Sequence, residues 1–281
     1  ILHTSDWHIG RQLHSVSLLD DQRHVLNQIV ELVDSKKVDV VLIAGDIYDR
    51  QVPPSNAIKL LDDVLNHILE ELNVPVIMIA GNHDGPERLG FGARQLGKAK
   101  LHIVGPLLDK QTPIILSDDF GDVAFYGIPY ADPATVRDVF AVDTVSHDAA
   151  MAHLVKQVHE HNRDRRRCVV LSHCFIDGGE ESDSERPLSV GGAGRVSTKH
   201  FLDFNYVALG HLHGRQFKGA QHIRYSGSIL KYSFSEEKHK KSVTLIDLNA
   251  EGQCDIEEIE LHSLRDMRVL EGSLNDLLAK G

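Results

Sequence analysis

The 281 residues predict one α/β domain in which two sheets pack together. Three observations carry that expectation. Apolar β-branched runs alternate with amphipathic stretches through residues 1–80, as a βαβαβ unit requires. The last third is nearly all strand. No linker or internal repeat divides the chain, and its length fits one large domain.

Ile1–Ser5 reads as the first strand. Leu18–Ser35 follows as a helix, with Leu19, Val25, Leu26, Ile29, Val30, Leu32 and Val33 at helical spacing. Val38–Ala44 is a solid apolar run, the pattern of a strand buried on both faces. Pro53-Pro54 opens a second helix, Ser55–Leu72, whose stripe is Leu60, Leu61, Val64, Leu65, Ile68 and Leu72. Val74–Ala80 is another buried strand, and the crossovers joining these parallel strands should be right-handed. Pro113–Leu116 and Val123–Ile128 predict an antiparallel hairpin around Asp118–Asp122. Val145–Asn162 reads as a helix and Cys168–Ser172 as a strand. Phe175–Arg195 is a long polar loop containing Gly178, Gly179, Gly191, Gly192 and Gly194, and such a loop inside a compact domain is commonly functional. Tyr206–Leu209, Ile223–Ser226, Ser242–Leu248 and Cys254–Leu261 complete the strands, with a turn at Asn249–Gly252.

Composition narrows the function. The longest apolar runs are less than half of the ~18–20 residues a bilayer-crossing helix needs, so no membrane span is expected. Three cysteines (Cys168, Cys174, Cys254) imply no disulfide framework and suit a reducing, cytoplasmic compartment. The chain opens on a strand at Ile1 rather than on Met or a signal peptide, so its natural start is expected upstream. A net charge of −11 argues against electrostatic coating of nucleic acid, though not against an enzyme whose site is made positive by bound metal.

Five motifs fall where the buried strands end: Asp6-Trp7-His8, Gly45-Asp46-Ile47-Tyr48-Asp49, Gly81-Asn82-His83-Asp84, Ser172-His173 and Gly210-His211-Leu212-His213. Ligands of open α/β sheets bind beyond the carboxyl ends of the strands, so the five should converge on one crevice. Residues two apart on a strand share a face, which would aim Asp6 with His8, and His211 with His213, at one site. Each motif alone is weak. With 18 histidines, about one His-x-His pair is expected by chance. A second pair, His159-Glu160-His161, reads as solvated surface at a polar helix end. The ordered set is specific.

Its members are carboxylates, an amide and imidazoles, a donor set that suits divalent manganese, iron or zinc, and the lack of thiolates argues against a structural zinc. A carboxylate can bridge two metals and an imidazole cannot. Two metals ~3.5–4 Å apart share a hydroxide and clamp the oxygens of a phosphate, so the residues point to metal-dependent phosphoester hydrolysis.

The order D-x-H, G-D-x-x-D, G-N-H-D, H, G-H-x-H resembles that of the calcineurin-like metallophosphoesterases, from Ile1 to about Leu261. Leu2–Gly10, the loop Ser182-Asp183-Ser184-Glu185-Arg186-Pro187, and Tyr225–Ser228 with Lys231–Glu236 are similar to the SbcD-type DNA repair exonucleases within that superfamily. The resemblance implies a two-sheet α/β/β/α sandwich. It implies one metal on Asp6, His8 and His213, a second on Asn82, His173 and His211, and Asp46 bridging them. His83 would protonate the departing sugar oxygen, oriented by Asp84, and Asp49 would stand behind the ligands. Manganese is the implied metal, with iron, zinc or magnesium as alternatives. The implied activities are 3′→5′ exonuclease on double-stranded DNA and endonuclease on single strands and hairpins, in repair and recombination.

The resemblance also implies a homodimer, through helices near Ser55–Leu72 and Arg88–Leu96, and an SbcC-type ATPase partner. Family members continue into a capping domain, and Gly281 falls about where it would begin. Residues 1–265 are therefore expected to form the nuclease domain and 266–281 the start of an extension, without the cap. The tightest basic cluster, Arg163, Arg165, Arg166 and Arg167, lies ~17 Å from His173 at ~3.3 Å per residue, at the wrong end of the sheet, and reads as solvated surface or a partner contact. Lys238, Lys240 and Lys241 read as a turn before a strand, Trp7 as packing beneath the site, and Cys174 as buried packing rather than a ligand. Two other readings compete: a phosphodiesterase or phosphatase acting on small nucleotides or phosphoproteins, and a non-catalytic scaffold with this fold.

Overall fold

Two six-stranded sheets lie face to face in the computed structural model, which describes residues 1–188, 194–273, 275 and 277. The first sheet runs Cys254–Glu260, Ser242–Leu248, Leu2–Thr4, Val41–Ile43, Val76–Ile79, Leu101–Val104; the last four are parallel and the first two antiparallel. The second runs Gln216–Lys218, Ala220–Tyr225, Tyr206–Gly210, Arg167–His173, Gly121–Ile128, Ile114–Asp118, with the four middle strands parallel.

Pleat alternation distributes the side chains over three layers of core. Val40, Leu42, Ile77 and Ile79 meet Phe125, Val169, Leu171 and Ala208 between the sheets. The alternate residues Val41, Ile43, Val76 and Met78 pack under the helices Leu19–Ser35 and Ser55–Asn66. Tyr126, Val170 and Leu209 do the same beneath His147–His161 on the other side. Strands buried on both faces explain the unbroken apolar runs of the sequence. The architecture is the expected α/β/β/α sandwich.

Differences from the pattern-based expectation have local causes. The second helix is α-helical to Asn66 and continues as a π-helical stretch, His67–Glu71. Helix Pro133–Phe140 buries only Val136, and edge strand Leu101–Val104 buries only Leu101, so neither shows a periodic stripe. The long loop is tied at its ends, where Phe175–Ile176 pairs in parallel with Arg195–Val196. Gly191 and Gly192 lie outside the described residues. After Glu260 the chain crosses helix Leu19–Ser35, where Arg265 pairs with Asp21 and the His262 amide donates to Gln28 Oε1 at 3.0 Å. Among the described residues no helix is long and apolar enough to cross a membrane.

Candidate metal centre

The central parallel strands of both sheets deliver their carboxyl ends to one place. Beyond them the backbone turns sharply: Asp6 (φ 51°), His8 (φ 44°), Asp46 (φ 50°) and His211 (φ 109°) all adopt positive φ. This corrects the expectation that strand pleating aims Asp6 with His8 and His211 with His213. The strand before Asp6 ends at Thr4 and the strand before His211 ends at Gly210, and left-handed exits turn the side chains inward instead. Such backbone is costly for non-glycine residues and clusters at functional sites. Close approach fixes two glycines. A Cβ on Gly45 would overlap the His173 ring, and one on Gly210 would overlap the Ala44 carbonyl.

The seven expected ligands come together, and the two expected groups overlap at Asp6, which also lies within 4.8 Å of Asp46 and His173. Asp6, His8 and His213 form one, with His8 Nε2 3.1 Å from His213 Nε2. In the other, Asn82 Oδ1 lies 2.9 Å from His173 Nε2 and 3.2 Å from His211 Nδ1. Asp46 Oδ2 stands between them, 3.6 Å from both His8 Nε2 and His173 Nε2. Main-chain groups hold the set in place: the His211 amide donates to both oxygens of Asp6 at 3.1 Å, and the His83 amide to Asp46 Oδ1 at 2.8 Å.

The donor set fits divalent cations. His173 Nδ1 donates to the Ala44 carbonyl at 2.9 Å, so Nε2 carries a lone pair that faces the Asn82 and Asp46 oxygens. His211 Nε2, His8 Nδ1 and Asn82 Nδ2 are buried without a hydrogen-bond partner. Burial pushes the Asp46 carboxyl well above the carboxylate range, with Asp6 and Asp84 adding repulsion. Burial likewise raises Asp6 and Asp84, and drives the His8 and His211 imidazoles well below their ordinary value. Neutral nitrogens beside carboxylates that lack counter-charge are what a borderline divalent metal satisfies.

His83 is buried beside His8, edge to face at 4.6 Å between ring centroids. By distance it also groups with His8 and Asp46. Its Nδ1 donates to the Asp49 main-chain carbonyl at 2.9 Å, so Asp49, not Asp84, orients the ring. Asp84 is occupied elsewhere: its carboxylate accepts the amides of Ile47, Tyr48 and Gly81 at 3.1, 2.9 and 2.9 Å, tying two of the strand ends together. The Asp49 side chain stands behind His8, 3.8 Å from Nδ1, and accepts from Arg11 at 3.2 Å. Burial lowers His83 to about 4, against the Asp49 carbonyl, which acts upward.

Several residues take the plainer role. Trp7 is fully buried, its Nε1 donating to Thr4 Oγ1 at 2.9 Å. Cys174 is buried and its thiol is pushed up to about 12 by burial. Arg167 begins the strand that His173 ends, and Arg163, Arg165 and Arg166 are exposed. His159, Glu160 and His161 are exposed. Lys241 stands directly before the strand Ser242–Leu248, as expected, but it is buried and paired with Glu236. The sequence also hid the contacts of the Ser182–Pro187 loop, where Glu185 Oε1 accepts the His213 amide at 2.8 Å.

Comparison with known proteins identifies the family. The model of the calcineurin-like phosphoesterases matches residues 1–215. The SbcD subunit of nuclease SbcCD from Staphylococcus epidermidis is 36% identical, over 99% of this chain and 74% of its own. The protein of the same name from Staphylococcus saprophyticus subsp. saprophyticus is 36% identical, over 99% of this chain and 73% of its own. A solved dimetal phosphatase from Danio rerio shares the fold, with a TM-score of 0.51 at 11% identity over 92% of this chain and 95% of that one. The chain belongs to the calcineurin-like phosphoesterase family. Within that family it is similar, along nearly its whole length, to the SbcD subunits of the staphylococcal SbcCD nucleases.

Proposed function

We propose that the chain is a two-metal DNA nuclease of repair and recombination, a 3′→5′ exonuclease on duplex ends and an endonuclease on single strands and hairpins. One observation carries the two-metal part: the Asp46 carboxylate stands 3.6 Å from an imidazole of each donor group. Only a carboxylate can serve both. Asp6, His8 and His213 would hold one ion and Asn82, His173 and His211 the other, with manganese as the metal in both. Bound there, the pair supplies charge to a phosphodiester and acidifies water for attack in line.

The protein's own residues do the rest. The Asp49 carbonyl fixes the His83 ring by Nδ1 and leaves Nε2 to donate a proton to the departing sugar oxygen. Burial keeps that ring neutral until a phosphodiester anion approaches, and the anion favours the protonated form. Asp84 holds the strand exits that carry Asp46 and Asn82 in register. DNA as substrate rests on similarity to the staphylococcal nuclease subunits. The names of those relatives also support an SbcC-type ATPase partner. A cytoplasmic location, a homodimer, and residues 1–265 as the catalytic domain with 266–281 as the start of an extension belong to the same proposal.

The test offers linear duplex DNA, labelled at one 3′ end, beside bis-(p-nitrophenyl) phosphate with Mn2+. The parent should release the 3′ label, and His83→Ala should lose that release by about 10²–10⁴-fold. Hydrolysis of the small diester with intact DNA would overturn the substrate. Inactivity on both, with no Mn2+ bound, would return the scaffold reading.

A further inference from the structure

Two segments resembling the SbcD-type nucleases, Ser182–Pro187 and Lys231–Glu236, lie outside the metal ligands, yet they meet on one of them. His213 Nδ1 is 2.6 Å from Ser184 Oγ. That hydroxyl donates its proton to the Glu236 carboxylate, which accepts in turn from the Lys241 ammonium. Lys241 Nζ closes the circuit, donating to the His213 main-chain carbonyl at 2.9 Å and to Ser228 Oγ at 2.8 Å. Ser184, His213, Glu236 and Lys241 are all buried.

We infer that Ser184, backed by Glu236 and Lys241, is a positioning residue for His213 and so governs one of the two metals and not the other. The inference rests on the two-metal reading above. Ser184 Oγ has one proton and three neighbours, Glu236, His213 Nδ1 and Ser182 Oγ at 2.9 Å. The carboxylate can only accept, so the proton goes to Glu236, and toward His213 the oxygen can only accept. His213 is thereby fixed as the Nδ1–H tautomer, and its Nε2 lone pair is turned toward His8, 3.1 Å away. Glu236 cannot replace the hydroxyl: its Oε1 is 3.4 Å from Nδ1, too far for a strong bond. Partners of this kind raise a ligand's basicity and fix its ring. The second group is held differently. There His173 leans on the Ala44 main-chain carbonyl, which no side-chain substitution removes. The Ser182–Pro187 loop is thus latched to one metal position, through Ser184 and through Glu185 on the His213 amide.

The test is Mn2+ binding to the full chain, by calorimetry and by the EPR signal of free Mn2+. Ser184→Ala removes the hydroxyl and leaves the Glu236–Lys241 pair intact. It should weaken one of two ions by about 10–100-fold and leave the other unchanged. Ser184→Thr should restore the parent isotherm, and adding Ser184→Ala to His213→Ala should change nothing further. Two ions bound by Ser184→Ala with parent affinities would overturn the inference. So would equal weakening of both ions, the mark of a merely structural serine. A parent that binds no Mn2+ would overturn the two-metal reading and the inference with it.

Discussion

His159-Glu160-His161 and His211-Leu212-His213 have the same spacing of the same residue and opposite fates. The first pair ends a helix, where residues two apart point about 200° away from each other. His159 stacks on Phe204, with 4.8 Å between ring centroids, while His161 meets the edge of Tyr126 at 6.3 Å. The second pair follows a buried strand, and the turn at His211 brings one imidazole to each half of the metal centre. Chemistry therefore resides in where the chain leaves the sheet, not in the tripeptide.

The largest effect should come from the residue that joins the halves. Asp46→Asn should cost about 10²–10³-fold in hydrolysis of bis-(p-nitrophenyl) phosphate. Its stability should move the other way. In the metal-free protein, buried Asp46 faces Asp6 and Asp84, so the amide should raise the melting temperature in EDTA. The parent should instead gain from metal, about 2.7 kcal/mol when Mn2+ stands at 100 times its dissociation constant. A parent melting curve indifferent to Mn2+ would break the comparison at its root.

Much of this site is legible in the sequence because its residues follow apolar runs too short for anything but strands. Val38–Ala44 and Val74–Ala80 announce the exits that carry Asp46 and Asn82. What escapes is geometry that no period encodes. Alternation would place Asp6 and His8 on a pleated strand, and instead they occupy left-handed turns past its end. Asp84 sits next to His83 in sequence but serves the backbone of the neighbouring strand exits. Lys241 reads as a turn lysine because its partner, Glu236, lies across the turn, and the link from Glu236 to Ser184 spans 52 residues.

A smaller, purely steric effect tests the sheet junction. Gly210→Ala places a methyl group against the Ala44 carbonyl, which also holds His173. The cost should be about 1–3 kcal/mol in urea unfolding, from crowding of backbone that cannot rotate away. Loss of one Mn2+ should accompany it. Unchanged stability would mean the two sheets can separate there freely.

His3 extends the comparison to a histidine that is neither ligand nor surface. It lies between the sheets, bonded to Tyr206 Oη at 3.0 Å and to the Leu209 carbonyl at 3.2 Å. Burial lowers it to about 3, against the Leu209 bond and aided by Arg224. The folded protein thus leaves His3 unprotonated where the unfolded chain takes up a proton, below about pH 6.5. Its contribution is complete above that pH and falls as pH drops toward 3, by about 1.4 kcal/mol per unit. His3→Gln should remove about that much from the slope of stability against pH between 6 and 4, measured in EDTA. An unaltered slope would place the acid sensitivity elsewhere.

The smallest effect belongs to the surface pair. His159→Ala and His161→Ala, together, should change hydrolysis by less than about twofold and stability by about 0.5 kcal/mol each. What the pair loses is the His159–Phe204 stack and the looser His161–Tyr126 edge contact, both on exposed histidines. Because the helix turns the two rings apart, they cannot grip one ion even at millimolar Mn2+. A third Mn2+ that disappears with the pair would show that spacing alone does recruit metal, and the distinction between the two His-x-His sites would fall.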